Sequence, residues 1–195
     1  MLPGHLMEPA SGDRVLDMCA APGGKAGHLA QLARGEALVA AMEVHPRKVR
    51  LIAETAARLG APGLCPVVGD GRAAPFAEPF DRVLVDAPCT GLGTLRRHPD
   101  LKWRIAPEDK RQLALVQVGL LRSAIDLCKN GGLIVYSVCT FTREETLGVA
   151  HTLLRSGDVQ PEDGPEWLNT WRIDQGQYRV LPHVEGLDGF FLMRL

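Results

Sequence analysis

Val15-Leu16-Asp17-Met18-Cys19-Ala20-Ala21-Pro22-Gly23-Gly24-Lys25 is the stretch from which the fold can be read. Val15 to Met18 is a short, mostly apolar run of the kind that forms a buried strand. Small residues and two adjacent glycines follow, and Gly24 to Arg34 reads as a helix with Gly35 as its C-terminal stop. Strand, tight loop and helix in that order open a βαβ unit.

The same alternation continues outward. Ala37 to Glu43 reads as a second strand and Pro46 to Leu59 as a second helix, with Gly60 beyond it. Pro46 suits a first helical position, where a fixed φ helps and a missing N–H costs nothing. Leu64-Cys65-Pro66-Val67-Val68 is a third strand and Arg82 to Asp86 a fourth. From Pro107 to Lys129 a long helix carries Leu113, Val116, Leu120, Leu121, Ala124 and Leu127 at helical spacing, and Asn130-Gly131-Gly132 is expected to end it. A fifth strand runs to Val138. Thr142-Arg143-Glu144-Glu145 has the form of a capping box opening a helix to about Arg155. Tyr178 to Leu181 and Gly189 to Met193 then read as two strands joined by a turn-rich stretch. The expectation is an α/β fold in one domain over residues 1–195: a Rossmann-like, doubly wound, mostly parallel sheet with a C-terminal antiparallel hairpin.

Composition narrows the function classes. The chain has 195 residues and a formal net charge of −1, so no global basic field draws in nucleic acid and any such binding rests on local patches. No apolar run approaches the roughly 20 residues that span a membrane. The first ten residues lack the pattern of a signal peptide, which points to a cytoplasmic protein. The five cysteines, Cys19, Cys65, Cys89, Cys128 and Cys139, are odd in number and contain no C-x-x-C pair. A disulfide framework and a metal site are both disfavoured, and Cys65 and Cys128, among apolar residues, are expected as core fillers.

Chemistry is expected at the carboxyl ends of the strands. Cys19 to Lys25 lies after the first. Neither the dinucleotide fingerprint nor the P-loop pattern is present, so phosphate is not the favoured ligand. Glu43 ends the second strand, twenty residues after Gly23, where an acid can accept hydrogen bonds from ribose hydroxyls. Asp70 and Asp86 follow the third and fourth. A small-residue loop with acidic strand ends suits S-adenosylmethionine, which carries a ribose, an adenine and a sulfonium cation but no phosphate. The bland alternative is a glycine turn flanked by solvated acids. Cys89 and Cys139 close the fourth and fifth strands, where a thiol can become a nucleophile. Read singly, each is more often a buried filler than a nucleophile; their positions at two strand ends reverse that preference.

Cys19-Ala20-Ala21-Pro22-Gly23-Gly24-Lys25, Asp86-Ala87-Pro88-Cys89-Thr90-Gly91 and Tyr136-Ser137-Val138-Cys139-Thr140 together resemble the motifs of the Nop/Sun-type RNA cytosine-C5 methyltransferases. Arg96-Arg97-His98-Pro99-Asp100-Leu101-Lys102-Trp103 and Gly186-Leu187-Asp188-Gly189-Phe190-Phe191 are similar to the RsmB group within that family, which acts on 16S ribosomal RNA. The resemblance extends from about Ser11 to Leu195. It implies that Cys19, Ala20, Ala21, Pro22, Gly23, Gly24 and Lys25 line the S-adenosylmethionine pocket, with Glu43, Asp70 and Asp86 completing it. It also implies that Cys139 is the nucleophile and that Cys89 assists product release.

C5 of cytosine is a poor nucleophile, and a thiolate added to C6 converts the ring to an enamine-like species that can take the methyl group. Asp86 is suited to ring N3 and is also counted with the cofactor pocket; no side chain stands out as the final base, which leaves water. The family departs from this chain in a few places. Thr140 stands where Ser is usual, Arg143-Glu144-Glu145-Thr146 where Pro-Glu-Glu-Asn is usual, and Glu43 where Asp is commoner. Full-size relatives carry an N-terminal RNA-binding region, of which this chain is expected to lack all but about ten residues.

Arg96, Arg97, His98, Lys102 and Trp103, with Arg104, form the best local RNA patch: cations for phosphates and an indole for stacking. The alternative is a solvated loop that Trp103 anchors to the core. The rival functions are a cytosine-C5 methyltransferase acting on transfer RNA, and a truncated cofactor-binding module.

Overall fold

A computed structural model describes residues 1–195. Strand β1 (Arg14–Asp17) pairs in parallel with β2 (Leu38–Glu43) on one edge and with β4 (Phe80–Asp86) on the other. Val15, Leu16 and Asp17 are wholly buried. A parallel strand covered on both faces has no solvent side, so its sequence need not alternate. β3 (Leu64–Val68) lies outside β2 in register Ala41↔Pro66. Proline cannot donate to a ladder, and an outer strand is where it is tolerated. That position also corrects the reading of Cys65, which is exposed rather than a core filler.

The eight strands follow the order β3-β2-β1-β4-β5-β8-β7-β6, with β5 (Cys128–Val138), β6 (Arg172–Asp174), β7 (Gln177–Val180) and β8 (Phe190–Arg194). β6–β7 and β7–β8 are antiparallel. The expected α/β class is therefore present, with three C-terminal antiparallel strands in place of two. β6 was silent in the sequence because it is three residues long and exposed throughout. The turn-rich stretch before β8 contains a single helical turn, Pro182–Glu185.

By internal packing the chain divides into two units, Met1–Asp86 with Arg122–Val135, and Ala87–Leu121 with Tyr136–Leu195. In the first, helices α2 (Gly24–Leu32) and α3 (Pro46–Leu59) pack closely: a Cβ on Gly27 would come within 2.5 Å of a Leu59 methyl. Helix α1 (Leu2–Met7), unforeseen because it is short and carries Pro3 and Gly4, buries Leu6 and Met7 completely. Arg82 ties it down, donating to the Met7 carbonyl at 2.7 Å and to Asp13 at 2.5 Å.

In the second unit, Tyr136, Leu168, Tyr178 and Phe191 are buried, with β7 and β8 in register Tyr178↔Leu192. The long helix α5 (Pro107–Leu127) stops two residues earlier than expected, and β5 starts at once, taking in Asn130-Gly131-Gly132. Helix α6 begins only at Leu147 and ends at Leu154. The Thr142–Glu145 box does not cap it. No helix is long and apolar enough to cross a membrane.

Candidate active site

The first constellation gathers at the ends of β1 to β4. The loop after β1 is fixed by backbone bonds from Met18 to the Leu84 carbonyl at 2.9 Å and from Ala20 to the Met42 carbonyl at 2.8 Å. Gly23 has φ +102, a left-handed value that favours glycine, and an added Cβ would press on Thr55 and on the Ile52 backbone at 3.1–3.2 Å. No side chain caps α2, so its first N–H groups are available to a ligand.

Four carboxylates surround this loop. Asp17 is completely buried, and its Oδ2 has no hydrogen-bond partner. Burial first, and the Asp86 charge second, push its carboxyl up to about 7, with Lys25 pulling the other way. Lys25 Nζ lies 2.6 Å from Asp86 Oδ2. Glu43 is buried and accepts from the His45 N–H at 3.0 Å. Asp70 is gripped by Arg72, whose backbone N–H, Nε and Nη2 donate at 2.9, 3.1 and 2.8 Å and hold the carboxyl below the usual range. All four acids act on Cys19: burial and then the charges of Asp17, Asp86, Glu43 and Asp70 push its thiol up. A loop flanked by these acids repels phosphate. It favours a cation and hydroxyl donors, so the residues present fit S-adenosylmethionine.

The second constellation is built around two sulfurs. Cys89 Sγ and Cys139 Sγ are 3.4 Å apart, within S–H···S hydrogen-bond reach. The contact with Cys139 and burial push the Cys89 thiol far up, so Cys89 keeps its proton. The loop after Cys89 crosses the chain after Cys139. Gly93 N–H donates to the Cys139 carbonyl at 2.9 Å, and Gly189 N–H to the Gly93 carbonyl at 2.8 Å. A Cβ on Gly93 would lie 2.2 Å from the Gly189 oxygen, so the crossing has room only for glycine.

A family model for the 16S rRNA methyltransferase RsmB/F matches residues 4–195. The chain belongs to the RsmB/F methyltransferase family. It is 40% identical to the probable ribosomal RNA small subunit methyltransferase B of Bacillus subtilis, over 98% of this chain and 45% of that protein. It is also 40% identical to the ribosomal RNA small subunit methyltransferase B of Thermus thermophilus, over 97% of this chain and 46% of the relative. The chain thus spans about half the length of the curated relatives it matches. Among solved structures it resembles NSun6 from Pyrococcus horikoshii with SFG, at TM-score 0.90 and 30% identity over 99% of this chain and 50% of that one. S-adenosylmethionine is the cofactor of the RsmB/F family.

Membership puts the remaining residues in context. The basic stretch forms a loop and a single helical turn, α4 (Leu101–Arg104). Trp103 is 83% exposed, so it does not anchor the loop to the core. Lys102 Nζ sits over its ring at 4.9 Å. Arg96 and His98 are exposed, and Arg97 is paired with Asp188. Arg96 also borders a cavity of about 260 Å³ lined by Leu92, Phe141, Leu181 and His183.

Glu145 and Gln117 are the residues that sequence reasoning missed. Glu145 is fully buried and accepts from Thr90 N–H at 2.9 Å, Thr90 Oγ1 at 2.6 Å, Thr142 Oγ1 at 2.7 Å and Gln117 Nε2 at 3.1 Å. Its carboxylate turns inward to this cluster instead of back to a helix terminus, which is why the apparent capping box does not start α6. Thr140 keeps the hydroxyl that the family's Ser would bring, bonded to Thr90 Oγ1 at 2.9 Å. The readable signal was Gln117, an amide on the apolar face of α5 between Val116 and Leu120.

Proposed function

We propose that this chain transfers a methyl group from S-adenosylmethionine to C5 of a cytidine in small-subunit ribosomal RNA, through a covalent bond between Cys139 and C6. The 3.4 Å pair of sulfurs carries the reading. Methylation of an amino group or a hydroxyl needs no thiol, and a single addition needs only one. Two thiols in contact suit a reaction in which one adds and the other completes the cycle.

Cys139, its S–H proton passed to solvent, adds to C6. As the thiolate adds, N3 takes a proton from solvent, Asp86, steadied by Lys25, accepts the hydrogen bond from that N3–H, and the proton returns to solvent when the ring is restored. The bound cofactor supplies the methyl group that C5 attacks. Water then takes the C5 proton, the pair left behind restores the C5–C6 double bond, and the Cys139–C6 bond breaks. Cys89, 3.4 Å away, gives its proton to the departing sulfur and takes one back from solvent. Arg96, Lys102 and the exposed Trp103 bind RNA through phosphate and base stacking; Arg97 and His98 complete the patch.

The test is methyl transfer from labelled S-adenosylmethionine to small-subunit ribosomal RNA and to transfer RNA, with the product base identified. 5-Methylcytidine in the ribosomal RNA is the expected outcome. Methylation of transfer RNA alone would assign a different substrate, and a chain that binds cofactor but labels neither RNA would be a cofactor-binding module.

A further inference from the structure

The peptide groups on both sides of Cys89 are held by two side chains that no reaction step uses. Gln117 Nε2 donates to the Pro88 carbonyl at 2.9 Å, just before Cys89. Glu145 accepts from the N–H of Thr90, just after it, and from the Thr90 hydroxyl. The two clamps are one body, because Gln117 also donates to Glu145 at 3.1 Å. Tyr136 OH donates to the Glu145 carbonyl at 2.7 Å and lies 3.0 Å from Gln117 Oε1. Thr140, the residue after Cys139, joins through Thr90, whose hydroxyl can donate only once. That donation goes to Glu145 at 2.6 Å, so Thr140 donates to Thr90.

Packing alone does not call for this cluster. A buried carboxylate met only by uncharged donors is costly to form, and apolar side chains of the same volume would fill the space more cheaply. What it gives is register. Both residues that follow the cysteines are tied to one carboxylate, and both peptides flanking Cys89 are tied to one body.

We propose that Glu145, acting with Gln117 through Thr90 and Pro88, is the positioning residue for Cys89, and that it sets the step in which Cys139 is released from the methylated base. The proposal rests on the assignment of Cys139 and Cys89 above. It makes a claim separate from general stability: loosening the clamp slows release more than addition.

The experiment uses the full chain, its cofactor and a small-subunit ribosomal RNA fragment with ordinary cytidine. Covalent adduct on a denaturing gel and free methylated product are both followed in time. Glu145→Gln and Thr90→Val should accumulate adduct at least tenfold over the native chain, as Cys89→Ala should, while KM for the cofactor is unchanged. Thr90→Ser, which keeps the hydroxyl, should return to native partitioning. Adduct and product falling together, with their ratio unchanged, would reduce Glu145 to a structural role and overturn the proposal. So would native product formation in both variants. If Glu145→Gln does not fold, the buried but isosteric Thr90→Val carries the test alone. A native-chain control with 5-fluorocytidine RNA separates the two levels: no adduct there sinks the reading of Cys139 itself, and this inference with it.

Discussion

Cys89 and Cys139 are 50 residues apart in sequence, yet their sulfurs approach to 3.4 Å. The two thiols are not equivalent. The contact with Cys139 and burial both push the Cys89 thiol up, and in the proposed reaction Cys139 attacks while Cys89 completes the cycle. Cys139→Ala is expected to drop methyl transfer by at least a thousandfold with cofactor affinity unchanged, measured by label incorporation and calorimetry. Cys89→Ala should leave addition intact and trap RNA on the protein, visible as a shifted band under denaturing conditions. The reverse pattern would exchange the two roles.

Asp17 predicts a pH dependence. Its carboxyl is raised in the folded chain to about 7 from an ordinary value of 3.8. A raised value means that the folded state holds the proton more tightly than the unfolded state. The associated stability is complete below about pH 4 and is lost as pH climbs through 7, amounting to at most roughly 4 kcal/mol. Asp17→Asn should therefore be more stable than the native chain at pH 8 and gain little at pH 4, as denaturant midpoints would show. Binding a cationic cofactor beside Asp17 should also expel its proton, read as a binding enthalpy that changes with the buffer's ionisation enthalpy.

Much of this was legible in the sequence, and the failures share a cause. The parallel strands, their order of appearance and the acids and cysteines at their ends follow from local patterns in the chain. Glu145 was hidden because Thr142-x-x-Glu145 is also a good helix start, and local spacing cannot tell a carboxylate that turns back to a helix from one that turns inward. β6 and α1 escaped because three exposed residues and a proline–glycine hexamer carry no period. Asp70 was placed correctly at a strand end, but its grip by Arg72, two residues away, could not be weighed against a ligand until the geometry was known.

The RNA patch should separate cleanly from folding. Trp103 is 83% exposed, so Trp103→Ala is expected to change stability by no more than about 0.5 kcal/mol. Loss of a stacked base should weaken RNA binding by about 1–3 kcal/mol, or roughly 5- to 150-fold. Arg96→Ala should lower the salt slope of binding by about one. Arg97, already paired with Asp188, should contribute less than Arg96. Filter binding across a salt series checks all three, and a Trp103→Ala chain of native affinity would remove the indole from the interface.

Gly93→Ala tests the crossing. The new methyl would meet two backbone carbonyl oxygens, at 2.2 Å from Gly189 and 2.8 Å from Cys139. Backbone cannot step aside as a flexible side chain can, so a loss of about 1–3 kcal/mol is expected, together with slower methyl transfer. Thermal denaturation and turnover at a temperature where the variant is fully folded distinguish the two effects. Native turnover in a destabilised variant would show that the crossing serves folding alone.

The Gly189 contact gives strand β8 and the turn before it an unusual weight. Gly189 lies six residues before Leu195, and its amide braces the loop that follows Cys89. A stop codon anywhere from position 186 to 189 would leave every cysteine and every strand-end acid encoded, yet remove the peg on which the Cys89 loop hangs and the strand β8 behind it. Such a truncation should be as null as one that deletes Cys139 outright.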